Sequence, residues 1–491
     1  MPVNADLDWA LEDVRSRLPR YTLFRQYDEG DHRLLFATEK YRNAFGDLFR
    51  EFADNLCEDV VDGITDRLQI ISWSSQDKAL NALADEVWER NQGEARSGAV
   101  HRNGFREGDG FTIVQTDREN RARVYRQHPT QMAVRYSTEA PDEMDLAAKV
   151  WKAGTRYRVN LYYPDRTEKY ASKGLGMDGG MPKASAFRLL AAGDPALAED
   201  EDGRTEHEDG IPVFHYPNGK LSDYGKSILR GVIPLQDALN KAVADMLVTM
   251  EGHAAPIRWA RGIEVERDPL TGQEKDPFRN AHQPGSVMRT GSKDAMFGQF
   301  DPAAMDGFLD VQDSFKIEIA RKGYLPPYAI TLRSGNATPP SGVSLLVAEG
   351  RTIKLARDRQ RDWGSERRRE MAYALRLEMG TRDVTASDLD LEWAPPETRD
   401  EKALIETLLL KKDLGVPTRQ ILIEAGYSSD EVDEFLDEAQ ENEDAAAATL
   451  SVLQGGRFGV SPAAAGTLTD SLGVPAGPVP PSGGQTALAG S

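Results

Sequence analysis

Gly174-x-Gly176-x-x-Gly179 has the letters of a dinucleotide-binding turn, in which glycines let the backbone approach a pyrophosphate at a helix N-terminus. That chemistry needs a buried strand before the glycines and a helix opening after them. Here the charged run Tyr-Ala-Ser-Lys comes before and Met-Pro-Lys after, so the motif reads as a loop. The acidic run at 199–209 offers hard oxygens of the kind that hold calcium or magnesium, but its spacing fits no cation loop and reads as a solvated linker. Arg351, Lys354, Arg357, Arg359, Arg361, Arg367, Arg368 and Arg369 would suit phosphate. Glu349, Asp358, Asp362, Glu366 and Glu370 are interleaved with them, which favours ion pairs within the helix or between subunits. The seven histidines are scattered singly, and His32 and His101 read as structural or exposed side chains rather than ligands. The one cysteine, Cys57, lies in an apolar helical pattern and reads as a buried thiol; alone, it excludes an intramolecular disulfide. There is no phosphate-loop, HExxH, CxxC or G-x-S-x-G motif, so no catalytic constellation emerges and no metal or cofactor is expected.

Length and composition bound the rest. The chain has 491 residues, 40% hydrophobic and 29% charged, with a net charge of −20. Such a chain has room for roughly two to four domains with real cores. Its charge opposes tight binding to nucleic acid or anionic membranes over the whole surface. No apolar run reaches the ~18 residues of a membrane span, and the N-terminus shows no signal-peptide pattern.

The elements come in a definite order. Leu7, Leu11, Val14 and Leu18 recur at helical spacing, and Pro19 is expected to stop that helix. The spacing predicts one helix over 40–62, a short strand ending at Trp73 and a helix over 77–90. From Gly110 to Tyr170 the period becomes two, which predicts a meander-like sheet in an α+β body. The central stretch is Ser222–Gly262. Ser222 or Asp223 can cap a helix whose apolar positions include Leu235, Leu239, Val243, Met246, Leu247 and Met250. Pro234 should kink it or mark a fresh start, and Gly252 should end it. A second helix is expected over Ala303–Lys322, after a small β-rich insertion. A polar loop at 331–342 precedes the longest helical pattern, Val343–Met379, with bend points expected at Gly350 and Gly364. Helices are predicted over 398–414, 418–425 and 429–441. The last carries nine acids and no base from Asp430 to Asp444, which would repel DNA. The Ala/Gly/Pro/Ser-rich end reads as disordered.

The segments Tyr27-x-x-Gly30-x-His32-x-Leu34-x-Phe36, GIPVFHYPN, the central helix, IEIARKGYLPPYAI and SGVSLLVAEGRTIKLARDRQRDWGSERRR recur here in a fixed order. Through them the chain resembles, from about residue 20 to 440, the portal proteins of tailed double-stranded-DNA bacteriophages, in the branch common among phages of actinobacteria. The resemblance implies a portal fold. It divides the chain into a wing (1–221, with the long helix 343–380), stem helices (222–252 and 303–323), a clip (253–302), a tunnel-loop region (324–342), a crown (381–447) and a tail (448–491). It implies a non-enzymatic ring, typically of twelve copies, at one capsid vertex of the virion, made in the host cytoplasm. Double-stranded DNA would pass through it. The terminase large subunit and then the head-to-tail adaptor would dock on it, beside the major capsid and scaffolding proteins and with no membrane contact. Carried over by position, Arg333, Asn336 and Thr338 would touch DNA. Leu239, Val243, Met246, Phe315 and Ile319 would pack the stem and ring, and Arg258, Trp259 and Arg261 would form the partner surface of the clip. Twelve copies would carry 12 × −20 = −240 charges, an acidic tunnel along which DNA slides. The alternatives are a head-to-tail adaptor ring and a nucleotide-dependent enzyme built on the 110–170 sheet; a DNA-binding regulator is disfavoured by charge.

Overall fold

The computed structural model describes residues 4–32, 54–176, 179–194, 202–219, 223–254, 258–262, 267, 269–273, 293–299, 306–330, 342–397, 401–427, 431–433 and 435–436. The chain forms two compact units, 1–397 and 398–491.

Helix α1 (Ala5–Asp28) opens on Asn4, whose side chain accepts from the Asp6 N–H, with Asp6 and Asp8 in the first turn. Pro19 does not stop it. Pro19 lies on the exposed face, so the Arg15 carbonyl that loses its helical bond is on the solvent side. The helix serves two cores. Leu7, Leu11 and Val14 pack on a large sheet, and Tyr21, Phe24 and Tyr27 enter the main core.

Of the expected helix over 40–62, the described part opens at Asp54–Asn55, which are not helical. Asn55 caps α2 (Leu56–Thr65) by accepting from the Cys57 N–H at 3.2 Å; residues 33–53 lie outside the described set. Cys57 is buried, and burial with the charges of Asp28 and Asp237 pushes its thiol up. Strand β1 (Ile70–Ser74), α3 (Lys78–Arg90) and α4 (Gly93–Arg106) follow.

The alternating segment divides into two sheets instead of one meander. Strands β2 (Asp109–Thr116) and β3 (Ala122–Gln127) pair antiparallel with each other, and β10 (Val213–Pro217) pairs with β2. A short turn at Pro129–Gln131 breaks the ladder, because proline has no N–H to donate. Strands β4 (Met132–Tyr136), β5 (Met144–Ala153), β6 (Arg156–Tyr162), β7 (Arg166–Ser172) and β8 (Phe187–Leu189) then run antiparallel in order, with β9 (Arg204–Glu206) also on β7.

Helix α5 (Ile233–Ala254) begins after a short 3-10 turn capped by Ser227. Asp223 therefore does not cap it, and Ser222 lies outside the described residues. Pro234 stands in its first turn, where a missing N–H costs nothing, and the helix runs past Gly252. A two-stranded hairpin, β11 (Arg258–Arg261) with β12 (Met296–Gln299), separates α5 from α6 (Asp306–Lys322).

Helix α7 (Gly342–Met379) is 38 residues long, about 57 Å. It runs as one helix through both suspected bend points. At Gly364 an added Cβ would sit 3.1 Å from the Trp393 ring nitrogen, so that glycine admits a neighbour. Trp363 is the anchor. Its indole N–H donates to the Pro217 carbonyl at 2.9 Å, and its ring packs on His101 and Phe105. After α7, β13 (Asp390–Trp393) pairs antiparallel with β1.

In the second unit, Leu408 of α8 (Glu401–Asp413) packs with Ile421, Leu422 and Ala425 of α9 (Thr418–Ala425), and Gly426 ends α9 at φ 105°. The end of the predicted last helix and the 448–491 tail lie outside the described residues.

Candidate functional site

The glycine motif follows β7, but among the described residues only a short 3-10 turn at Ala184–Ala186, and no α-helix, opens after it. Among the described residues no group of His, Cys, Asp or Glu could hold a metal ion, and no helix is long and apolar enough to cross a membrane. Most arginines of α7 form ion pairs. Arg359–Asp362 (2.7 Å), Arg361–Asp358 (2.9 Å), Arg367–Glu370 (2.6 Å) and Arg369–Glu366 (3.0 Å) lie three residues apart within the helix. The most organised polar geometry instead surrounds the α5–α6 pair.

The base of α5 sits in a socket. Gln236 accepts from the Leu56 N–H at 3.0 Å and donates to the Asp54 carbonyl at 2.5 Å. The Asn240 amide lies 2.7 Å from His32 Nδ1, and His32 Nε2 lies 3.1 Å from Asn55 Oδ1. The Tyr27 hydroxyl donates to Asp237 at 2.6 Å, and its ring stacks on His32. Gly30, at φ 79°, supplies the turn that brings Tyr27 and His32 together. Lys316 on α6 pairs with Asp54 at 2.9 Å. His32 is thus a structural side chain, and so is His101, buried between Trp363 and Trp393.

Away from the socket the pair loses its cover. Leu239 and Ile319 are fully buried within the chain, and Phe315 packs against the same core. Val243 and Met246 are half-buried, and Gln312 donates to the Met246 sulfur at 3.3 Å. Met250, on the same stripe, is 49% exposed, and Leu309, Val311 and Ile317 of α6 are 44–48% exposed. On the hairpin Trp259, Met296 and Phe297 are exposed, as is Arg261.

The segment after α6 is clamped to α7. Tyr324 adopts φ 62°, a costly conformation for a residue with a Cβ. The Leu325 N–H donates to the Ala320 carbonyl at 2.9 Å, the Thr352 hydroxyl donates to the Tyr324 carbonyl, and the Arg351 guanidinium lies 4.1 Å over the Tyr324 ring. The Tyr328 hydroxyl donates to buried Glu349, which also pairs with Arg67 at 3.2 Å. Burial and that carboxylate push the tyrosine up to about 12. These anchors flank 331–341, where Arg333, Asn336 and Thr338 lie outside the described residues.

The family model for the phage portal protein, SPP1 Gp6-like, matches residues 15–448. This chain belongs to the phage portal protein family. Three solved structures align with 76% of this chain and 90% of theirs. They are the neck of an empty gene transfer agent particle computed with C6 symmetry (12% identity, TM-score 0.46), the neck of the native particle computed with C12 symmetry (14%, 0.44) and the virion of the native particle (12%, 0.43). No curated protein matches by sequence. Portal membership indicates a structural role for the chain. The actinobacteriophage affiliation rests on the sequence motifs alone.

Portal residues expected from the sequence are therefore distributed unevenly. Five of them meet in the α5–α6 pair, where Leu239 and Ile319 are spent within the chain. Trp259 and Arg261 share the hairpin strand with Arg258. The socket residues Tyr27, Gly30 and His32 carry the family resemblance in sequence, but their role emerges only when Asn240 and Asp237 are seen beside them.

Proposed function

We propose that this portal-family chain assembles into a closed ring, typically of twelve subunits, at one vertex of a phage capsid, and that double-stranded DNA is packaged and ejected through it. In this reading α5 and α6 are the stem, the β11–β12 hairpin belongs to the clip, 1–221 with α7 forms the wing, and 381–447 the crown. The observation that carries the reading, beyond family membership, is the α6 surface. Leu309 and Ile317 lie on one flank, and Val311 lies about 160° away around the helix. A ring contact is heterologous, so each subunit must offer two different apolar flanks to its two neighbours.

The hairpin presents Trp259, an aromatic anchor of the kind that dominates protein interfaces. Its proposed partners are the terminase large subunit during packaging and the head-to-tail adaptor afterwards. Capsid and scaffolding proteins would surround the wing, in a virion assembled from protein made in the host cytoplasm. Electron microscopy of the purified protein should show rings with a central hole, and mass photometry a species near twelve times 54.3 kDa. A monodisperse monomer would sink the ring reading.

The 331–342 loop is the proposed point of DNA contact, through Arg333, Asn336 and Thr338. Contact with phosphate there must be weak, because tight binding would stall translocation. Arg333→Ala is expected to leave ring mass unchanged and to reduce the DNA packaged per particle, read by quantifying encapsidated genome. Unchanged packaging removes Arg333 from the contact set.

A further inference from the structure

Many arginines of this acidic chain spend their charge on a carboxylate of the same chain, as Arg90 does on Glu378 and Arg102 on Asp28. One cleft is different. It has a volume of about 410 Å³, lies between α1 and residues 224–230, and is lined by four cations, Arg17, Arg20, Lys226 and Arg230, and one carboxylate, Asp13. Arg17 and Asp13 neutralise each other at 2.5 Å, and the Tyr224 hydroxyl donates to the same carboxylate at 2.6 Å. Arg20, Lys226 and Arg230 remain. All three are exposed, and among the described residues none has a carboxylate partner.

Their backbone is held in place. The Gly225 N–H donates to buried Asp109 at 2.7 Å, the Lys226 N–H to the Asn218 carbonyl at 2.8 Å, and the Ser227 hydroxyl to the Arg106 carbonyl at 2.5 Å. On the other wall α1 is fixed by two cores. Three like charges around one opening create a local positive potential on a chain of net charge −20. Two guanidinium forks and an ammonium can donate to several oxygens of one tetrahedral anion. A dianion balances three positive charges better than a carboxylate does.

We infer that this cleft binds a phosphate group, carried either by free phosphate or by a nucleic-acid backbone. The inference does not depend on the ring, because every cleft residue comes from one chain. The test compares the full-length protein with the Arg20→Ala/Lys226→Ala/Arg230→Ala variant, in whatever assembly each adopts. Inorganic phosphate is titrated at constant ionic strength while the melting midpoint is followed, and a short labelled duplex is titrated by fluorescence anisotropy at several salt concentrations. Phosphate should raise the wild-type midpoint, with an apparent affinity weakened about tenfold or more in the variant. If a nucleic acid supplies the phosphate, the variant's plot of log affinity against log salt should instead be shallower by about 2–3. A change in the first arm alone assigns free phosphate, and a change in the second assigns a nucleic acid. Identical behaviour of both proteins in both arms overturns the inference. So does a variant that loses ring mass with both titrations unchanged, which would make the cations a subunit contact. Arg20→Gln alone, on the outer face of α1, should show part of the loss and serves if the triple variant fails to fold.

Discussion

Asp109→Ala is expected to destabilise the first unit by about 3–5 kcal/mol, the cost of breaking a buried charged network by removing one member. Asp109 is fully buried. It accepts from the Tyr21 hydroxyl at 2.5 Å, His215 Nε2 at 2.8 Å and the Gly225 N–H at 2.7 Å. Those donors come from α1, β10 and the segment leading into α5, so one side chain on β2 ties four parts of the chain together. Alanine takes the acceptor from all three donors, and the Tyr21 hydroxyl and the His215 ring are buried where water does not replace it. His215 also stacks on Phe111 and lies 2.9 Å from the Tyr136 hydroxyl, so its ring cannot turn to another acceptor without breaking a second contact. Asp109→Asn keeps the shape and one acceptor oxygen and should cost less. The pH dependence follows from the same contacts. Burial alone would push the carboxyl up, but the hydrogen bond and field of His215, with the Gly225 N–H and the Tyr21 hydroxyl, outweigh it and hold the group below its usual range. A depressed carboxylate contributes stability that is fully present above the unfolded value, about 4, and is lost as pH falls through the folded value. Urea unfolding should therefore separate wild type from Asp109→Ala widely at pH 7 and progressively less below about pH 4. Coincident unfolding curves at pH 7 would show that the donors find other acceptors.

The strands from Asp109 to Ser172 are legible in the sequence because alternation records a half-buried sheet directly. The division into two sheets is not, since alternation says nothing about which strand each one pairs with. Helix α4 leaves no apolar stripe, because its buried face is built largely of Ser97, His101, Asn103 and Gly104 with only Val100 and Phe105 among them. Strand β13 is four residues long, and its partner lies some 320 residues away, as Ser72 and Glu392 illustrate. Pro19 misleads because proline is read as a helix breaker, while its actual cost depends on which way the orphaned carbonyl faces. Of the candidate site, the two helices of the α5–α6 pair are visible from periodicity alone. Which of their apolar residues stay uncovered is not. Leu239 and Met250 share one stripe in the sequence, and only the socket, with His32 reaching Asn240 across 208 residues, buries the first and leaves the second exposed.

That distinction sets the second large effect. Leu309→Glu combined with Ile317→Glu is expected to convert the proposed ring to monomers at micromolar concentration while leaving the fold of each chain intact. Both residues are nearly half exposed in the single chain, so a carboxylate at either position stays hydrated there and costs the monomer little. In a ring the same positions would be covered by a neighbour. Each interface would lose about 0.7–1.5 kcal/mol per apolar side chain, half the value for full burial because each is already half buried, and would have to desolvate an unpaired carboxylate as well. The loss recurs at every interface of a closed ring, so a modest effect per contact becomes collapse of the assembly. Val311→Glu, on the opposite flank, should do the same, because a heterologous contact is broken equally from either side. Leu189→Glu serves as the comparison. That leucine is as exposed at 44% but lies on β8, so a ring that survives this change and not the others places the contact on α6. Mass photometry reads the assembly, and circular dichroism shows whether the chain remains folded. Rings that persist in both α6 variants would mean that α6 does not line the subunit contact, whatever the family's architecture implies.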